Sequence, residues 1–294
     1  MQTKFNPTYK LLVQQEKSQD FLEIAYPFTI DFDISRDTSS SVNQATFKIY
    51  NLNANTRSQL FKDRYSLLDY GTGTGYRKVI FQAGYGGQLT TCFVGAMLQA
   101  HSYRSGTEII THIQALDGGY AIANSQINTS FGKGANVQTI LETLSGSLFD
   151  IQPGAVSDTS GTLSRGVVFN GNAWGFLTET FSDKEVFIDM QQLYILNRND
   201  ATQTFVPLIS AETGLLGTPI REATNLTVDM IFEPRVRVGS VVEIKSTTNP
   251  FFNGQFKITG IKHNGTISAS VGGTRKTTLI LFIGSLLFGS LKII

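Results

Sequence analysis

From Val236 to Gly284 the chain repeats one pattern three times, with apolar residues at alternate positions and turn-forming dipeptides between the runs. Val236, Val238, Val241 and Ile244 mark the first run, Phe256, Ile258 and Ile261 the second, and Leu279, Leu281 and Ile283 the third. Asn249-Pro250, Asn253-Gly254 and Gly272-Gly273 interrupt them. A period of two places every second side chain on one face of a pleated strand, so this stretch is constrained to an antiparallel meander with one buried face. It carries no catalytic pattern and reads as a scaffold that closes on itself.

The same rhythm occurs upstream. Phe28, Ile30, Phe32 and Ile34 alternate with polar residues, and ATFKIYNL forms a second strand after the polar loop DTSSSVNQ. Asn53 is an N-cap for a short helical turn through Arg57, Leu60 and Phe61. KVIFQAGY, TCFVGAMLQAHSY and TEIITHIQAL follow the Gly71–Gly75 turn as three strands, separated by Gly86-Gly87 and Ser105-Gly106. The first twenty residues read as an extended arm. Between the two β-rich ends the period changes. Asn136 caps a run in which Val137, Ile140, Leu141, Leu144 and Leu148 share a helical face, and Asn172 opens a second with Trp174, Leu177 and Phe181. EVFIDMQQLYILNRN reads as a strand pair around a Met-Gln-Gln turn, and Leu226, Val228, Met230 and Phe232 alternate ahead of the final meander. The expected architecture is mainly β (α+β), with two small antiparallel β-barrels flanking an α/β insert. Its expected units are residues 1–125, 126–200 and 201–294.

Composition agrees with strands. Twenty-one Phe and ten Tyr accompany one Trp in 294 residues, and only 16% of residues are charged, as expected where partners cover much of a surface. The single cysteine, Cys92, lies in a strand pattern and excludes any intramolecular disulfide. No leader-like apolar core is visible near the start. The run Leu279–Ile294 is too short and too interrupted to span a bilayer, and reads as a strand followed by an apolar tail needing cover. Charge is unevenly spread. From Pro234 onward eight basic residues stand against one acid, Glu243, whereas the preceding residues carry 16 basic and 22 acidic groups. Such asymmetry fits a face that meets an acidic partner, a second copy or nucleic acid, or simply a solvated face.

Motifs for chemistry are missing. His101, His112 and His263 form no H-x-H or H-x-x-x-H pair, so the sequence does not supply a zinc site. Asp31, Asp33 and Ser35 imitate the start of a calcium loop, but Arg36 occupies the glycine position and Val42 the closing glutamate position. The glycines before Tyr76 lead into a strand, and FGKGANVQTIL lacks phosphate-loop spacing. Gly161-Thr-Leu-Ser164-Arg-Gly166 lacks the spacing of a nucleophile elbow. Asp117, Glu179, Asp183 and Glu185 are carboxylates of a suitable type for glycoside hydrolysis, but Asp117-Gly118-Gly119 reads better as a strand-ending turn. Basic residues near the C-terminus are not interleaved with exposed aromatics, and no signature of DNA or RNA reading is present.

In order along the chain, Phe47-Lys-Ile-Tyr-Asn51-Leu52 with Thr56-Arg57, Ala83-Gly84-Tyr85-Gly86-Gly87 with Phe93-Val94-Gly95, and Ala115-Leu116-Asp117-Gly118 precede a second set. That set is Gly239-Ser-Val241-Val242-Glu-Ile244, Asn253-Gly254-Gln-Phe256-Lys-Ile258 and His263-Asn-Gly265. This order resembles the baseplate hub proteins of contractile-tailed bacteriophages, a structural group shared with the hub portion of type VI secretion spikes. The chain departs from the pattern at Thr266, where such hubs often carry an acid, and at Lys276-Thr277-Thr278, where they often carry an aromatic.

The resemblance implies a non-enzymatic structural protein without cofactor or metal. It implies a homotrimer whose two barrels per chain alternate in a pseudo-sixfold ring joining a central spike to the tail tube. Spike, tube and other baseplate proteins are then the partners, in the virion tail after assembly in the host cytoplasm. DNA passage through the ring channel is compatible with this, but specific nucleic-acid binding and stable membrane insertion are not expected. Arg235, Arg237, Lys245, Lys257 and Lys262 are the candidates for an interface or channel lining. The alternatives are a tail adaptor or carbohydrate-binding β module and, ranked last, a tail-associated cell-wall hydrolase.

Overall fold

The computed structural model describes residues 4–16, 18–39, 42–62, 75–202, 206–284 and 291–293. The first β-rich region comprises β1 (Pro7–Gln14), β2 (Phe21–Ala25), β3 (Ile30–Asp37), β4 (Asn43–Tyr50), β5 (Lys78–Tyr85), β6 (Gln88–Ser105) and β7 (Glu108–Asp117), with the short helix α1 (Ala54–Leu60) after β4. Alternation sets their faces: along β3, Ile30, Phe32, Ile34 and Arg36 are buried and the intervening residues are not. Asn53 caps α1 as its side chain accepts from the Thr56 amide. Gly86 and Gly87, both at positive φ, supply the tight turn from β5 to β6. The glycine turn at 71–75 lies almost wholly outside the described residues.

Within the expected extended arm, residues 7–14 form a strand of the sheet. β1 pairs with both β2 and β5, and Tyr9, Leu11 and Val13 are buried in the core. Three buried apolar residues at alternate positions make this an internal strand; the surrounding glutamines and lysines mask the pattern.

The middle region contains α2 (Gly119–Asn124), β8 (Gln126–Phe131), α3 (Val137–Gly146), β9 (Gln152–Val156), β10 (Val167–Asn172), α4 (Ala173–Thr180), β11 (Glu185–Asp189) and β12 (Gln192–Leu196). Asn136 and Asn172 cap α3 and α4, as their spacing predicts. β8 and β10 form a two-stranded sheet, and β11, β12 and β9 a three-stranded one. Their shared core includes Ile140, Leu144, Trp174, Leu177 and Ile195.

The last region contains β13 (Asp200–Ala201), β14 (Leu208–Ser210), β15 (Leu215–Glu222), β16 (Asn225–Ile231), β17 (Val241–Lys245), β18 (Gly254–Ile267), β19 (Arg275–Phe282) and β20 (Lys292–Ile293). Short β20 pairs in parallel with β13; the apolar tail segment before it lies outside the described residues.

The chain is mainly β, and no closed barrel is found among the described strands. Instead the two β-rich regions share one 13-stranded sheet, with eleven strands in the order β15-β16-β19-β18-β3-β4-β7-β6-β5-β1-β2 and β17 and β14 branching from β18. Long β18 is the bridge: its first part pairs with β17, its last part with β3, and its other edge with β19. Phe232 and Ile267, from the last region, join the core of the first, where Phe232 lies 5.4 Å from Phe32 between ring centroids.

Candidate functional site: a buried polar junction

The β11–β12 hairpin is where the three regions meet. Strand β11 carries a carboxylate at each end, Glu185 and Asp189, and each finds a buried cation on a different part of the large sheet. Arg36 of β3 places Nη1 at 3.2 Å from both oxygens of Asp189, with side-chain exposures of 0% and 2%. Lys257 of β18 places Nζ at 2.7 Å from Glu185, with exposures of 0% and 22%. An unpaired charge at such depth is strongly unfavourable, so each pair fixes the hairpin's position.

The Arg36 end is a network of buried polar groups in which the guanidinium Nε alone lacks a partner among the Arg36 donors described. Arg36 Nη2 donates to the Val236 carbonyl at 3.2 Å and lies 3.4 Å from His263 Nε2. A guanidinium only donates, so Nε2 takes the acceptor role, and His263 Nδ1 donates to Thr277 Oγ1 at 2.8 Å. Burial, then the charges of Arg36 and Arg237, hold His263 well below the ordinary imidazole range, so it is neutral. Asn43 of β4 donates to the Ile188 carbonyl at 2.8 Å.

At the end of β7, the Asp117 carboxylate accepts from the amides of Met190 and Gln191 at 2.5 and 2.8 Å. These two residues form the hairpin turn, both at positive φ without being glycine. Burial and the neighbouring Asp189 charge push Asp117 up to about 7, against the two amides and Arg36. Gly118 adjoins it at φ +75, where a Cβ would lie 2.8 Å from the Ile188 side chain. A strand-ending turn is therefore present at Asp117-Gly118, and it also clasps a hairpin more than seventy residues away. Further along, Asp150 collects Tyr76, Lys78 and Gln191, which ties the loop before β9 to β5.

The structure does not bring the five basic candidates together. Lys257 is buried against Glu185 and the carbonyls of Asn197 and Arg198. Arg237 donates to the carbonyls of Pro234, Val236 and Thr91. Arg235 forms a two-point contact with buried Glu233, which also faces Lys4 at 3.4 Å. Lys245 and Lys262 are exposed, and Lys262 lies 3.4 Å from Asp33. Sequence reasoning missed Arg36, Asp189 and Asn43 as functional residues. A signal existed for Arg36, a charge in phase with the buried Ile30, Phe32 and Ile34.

Among the described residues no group of three or more His, Cys, Asp or Glu is placed to hold a metal, and no helix is long and apolar enough to cross a membrane. The Cys92 thiol is buried, and burial pushes it up to about 11. The junction holds elements in place: its charges face one another and backbone carbonyls.

Comparison with known proteins agrees with a role built on fold. A family model described as baseplate hub gp41 matches residues 12–267. The chain belongs to the baseplate hub gp41 family. This places it among bacteriophage tail baseplate proteins. No curated protein sequence matches it. Among solved structures, the hub is similar to the 43 kDa tail protein of prophage MuSo2 from Shewanella oneidensis, at 9% identity and a TM-score of 0.62, covering 97% of this chain and 99% of that one. It is similar to the tail protein from Neisseria meningitidis MC58, at 11% identity and 0.61, with the same coverages. It is also similar to the E. coli c3393 protein, at 10% identity and 0.58, covering 92% of this chain and 76% of that one. The c3393 protein is described as a type VI secretion component with structural similarity to T4 bacteriophage tail proteins gp27 and gp5. At such identities the likeness is one of fold.

Proposed function

We propose that this hub is a non-enzymatic ring component. In this reading three copies form a ring, two barrel-like units per chain alternate around it in pseudo-sixfold order, and the ring joins the spike to the tail tube. The observation that carries the reading is the single open sheet whose main run ends in two unlike edges, β2 and β15, while β14 ends the side branch through β17. Unpaired edges invite another chain, and contact between two unlike edges is head-to-tail, the arrangement that generates closed rings. Leu216 and Ile220 are exposed on β15 and Phe21 on β2, which suits cover by a neighbour.

The units of this reading are residues 1–125, 126–200 and 201–294. They are supported by three clusters of buried apolar residues, centred on the first β-rich region, the middle region and the last region. Lys245 and Lys262, whose charges reach solvent, are the candidates for partner contact or channel lining. Spike, tube and other baseplate proteins are the partners, the virion tail is the location, and assembly takes place in the host cytoplasm. The E. coli relative's description as a secretion component related to tail proteins supports a shared architecture with spike-bearing machines.

Light scattering across a concentration series, alone and with the spike protein added, tests this. A stable mass three times 32.2 kDa, followed by a ring in electron micrographs, is the expected result. A chain that stays monomeric in both conditions overturns the ring.

A further inference from the structure

Strands β6 and β7 place His101 and His112 directly opposite each other, with ring centroids 5.1 Å apart and ring planes at 65°. His101 is exposed and His112 half-buried, on the solvent side of the large sheet. In the neighbouring row Gln99 donates to Gln114 at 2.7 Å, so that pair satisfies itself. By contrast, no protein group among the described residues hydrogen-bonds to either imidazole. A neutral imidazole carries a lone pair on one ring nitrogen, which suits it as a metal ligand.

The spacing has a chemical meaning. A divalent transition metal bonds imidazole nitrogen at about 2.0–2.1 Å, and the ring centre lies about 1.2 Å behind that nitrogen. Two rings sharing one ion at an angle of roughly 90–109° then have centres about 4.5–5.2 Å apart. The observed separation falls inside that interval.

We propose that His101 and His112 form a two-imidazole site for a divalent transition metal such as Zn2+, Ni2+ or Cu2+. Water completes the coordination. Hard cations such as Mg2+ and Ca2+ are disfavoured by the nitrogen ligands. Lys48 stands opposite His112 on β4 and opposes a cation, and Asp31, opposite Lys48 on β3, partly offsets it. The pair is eleven residues apart in sequence and matches no metal motif, so only the register of β6 on β7 reveals it. The site rests on this register and not on the hub reading.

Calorimetric titration of the full chain with Zn2+ and Ni2+ at about pH 7.5 tests the proposal, because ligating imidazoles must be neutral. The expected result is one equivalent per chain. H101Q and H112Q should each weaken binding at least tenfold, and K48Q should tighten it severalfold. All three positions are outside the core, and circular dichroism checks that the variants fold. Buried His263 remains in every variant as a spectator. Absence of saturable binding at millimolar metal overturns the proposal, as does an unchanged isotherm in the double variant H101Q/H112Q.

Discussion

The two ends of β11 answer the same problem differently. At Asp189 the carboxylate and its Arg36 partner are both sealed from water, and the arginine also contacts the Val236 carbonyl and His263. At Glu185 the lysine is sealed but the carboxylate keeps 22% of its side-chain surface exposed. The hairpin is thus fixed to β3 by a dry network and to β18 by a pair that water can reach. In the first, loss of one partner strands a charge. In the second, Glu185 can hydrate if Lys257 is lost, because only the lysine is sealed.

Breaking the dry end should therefore have the largest effect. R36M leaves Asp189 buried and uncompensated and should cost about 3–5 kcal/mol in urea unfolding. Next comes G118A, which forces a Cβ against Ile188 at a left-handed backbone position. It should cost about 2–3 kcal/mol by the same measurement, with the hairpin amides losing exchange protection. K257M should cost about 1–2 kcal/mol, because Glu185 can turn to solvent. A loss for K257M equal to that of R36M would erase the distinction between the two ends.

A pH series sharpens the comparison at the dry end. Asp117, pushed up to about 7, holds a proton in the folded chain that the unfolded chain has released. Its contribution is fully present at acid pH and is lost as pH rises through about 7. His263 acts in the opposite sense: neutral when folded, it withholds a proton that the unfolded chain takes up, so its contribution is lost as pH falls below the ordinary imidazole range. D117N should flatten the decline toward pH 7 and leave the acid-side loss in place, read from unfolding midpoints. The smallest effect belongs to the solvent pair of Lys262 and Asp33. D33N should change stability by less than about 1 kcal/mol, and added salt should abolish even that.

Much of the strand content was legible because alternation is a local property: β3, β4, β16 and β19 follow from every second residue being apolar. Both longer helices were legible through Asn136 and Asn172. The junction was less so, because Arg36 and Asp189 meet across 153 positions, and no local rule links them. Their one trace was phase. Arg36 lies in step with Ile34, and His263 in step with Ile261, so each is a polar group on an apolar face. The Met190-Gln191 turn hides for another reason: positive φ at two non-glycine residues has no composition signal. Sheet closure was not legible at the same scale, since whether a meander closes or joins another sheet depends on β18 meeting β3.

That meeting also has a cost in time. β3 is synthesised more than two hundred residues before the part of β18 that covers its edge. At roughly 5–20 residues per second, the ribosome leaves that edge unpaired for about ten seconds or longer. During that interval the nascent strand is a template for other chains, so the yield of this hub depends on elongation rate and on whatever shields the edge until β18 emerges.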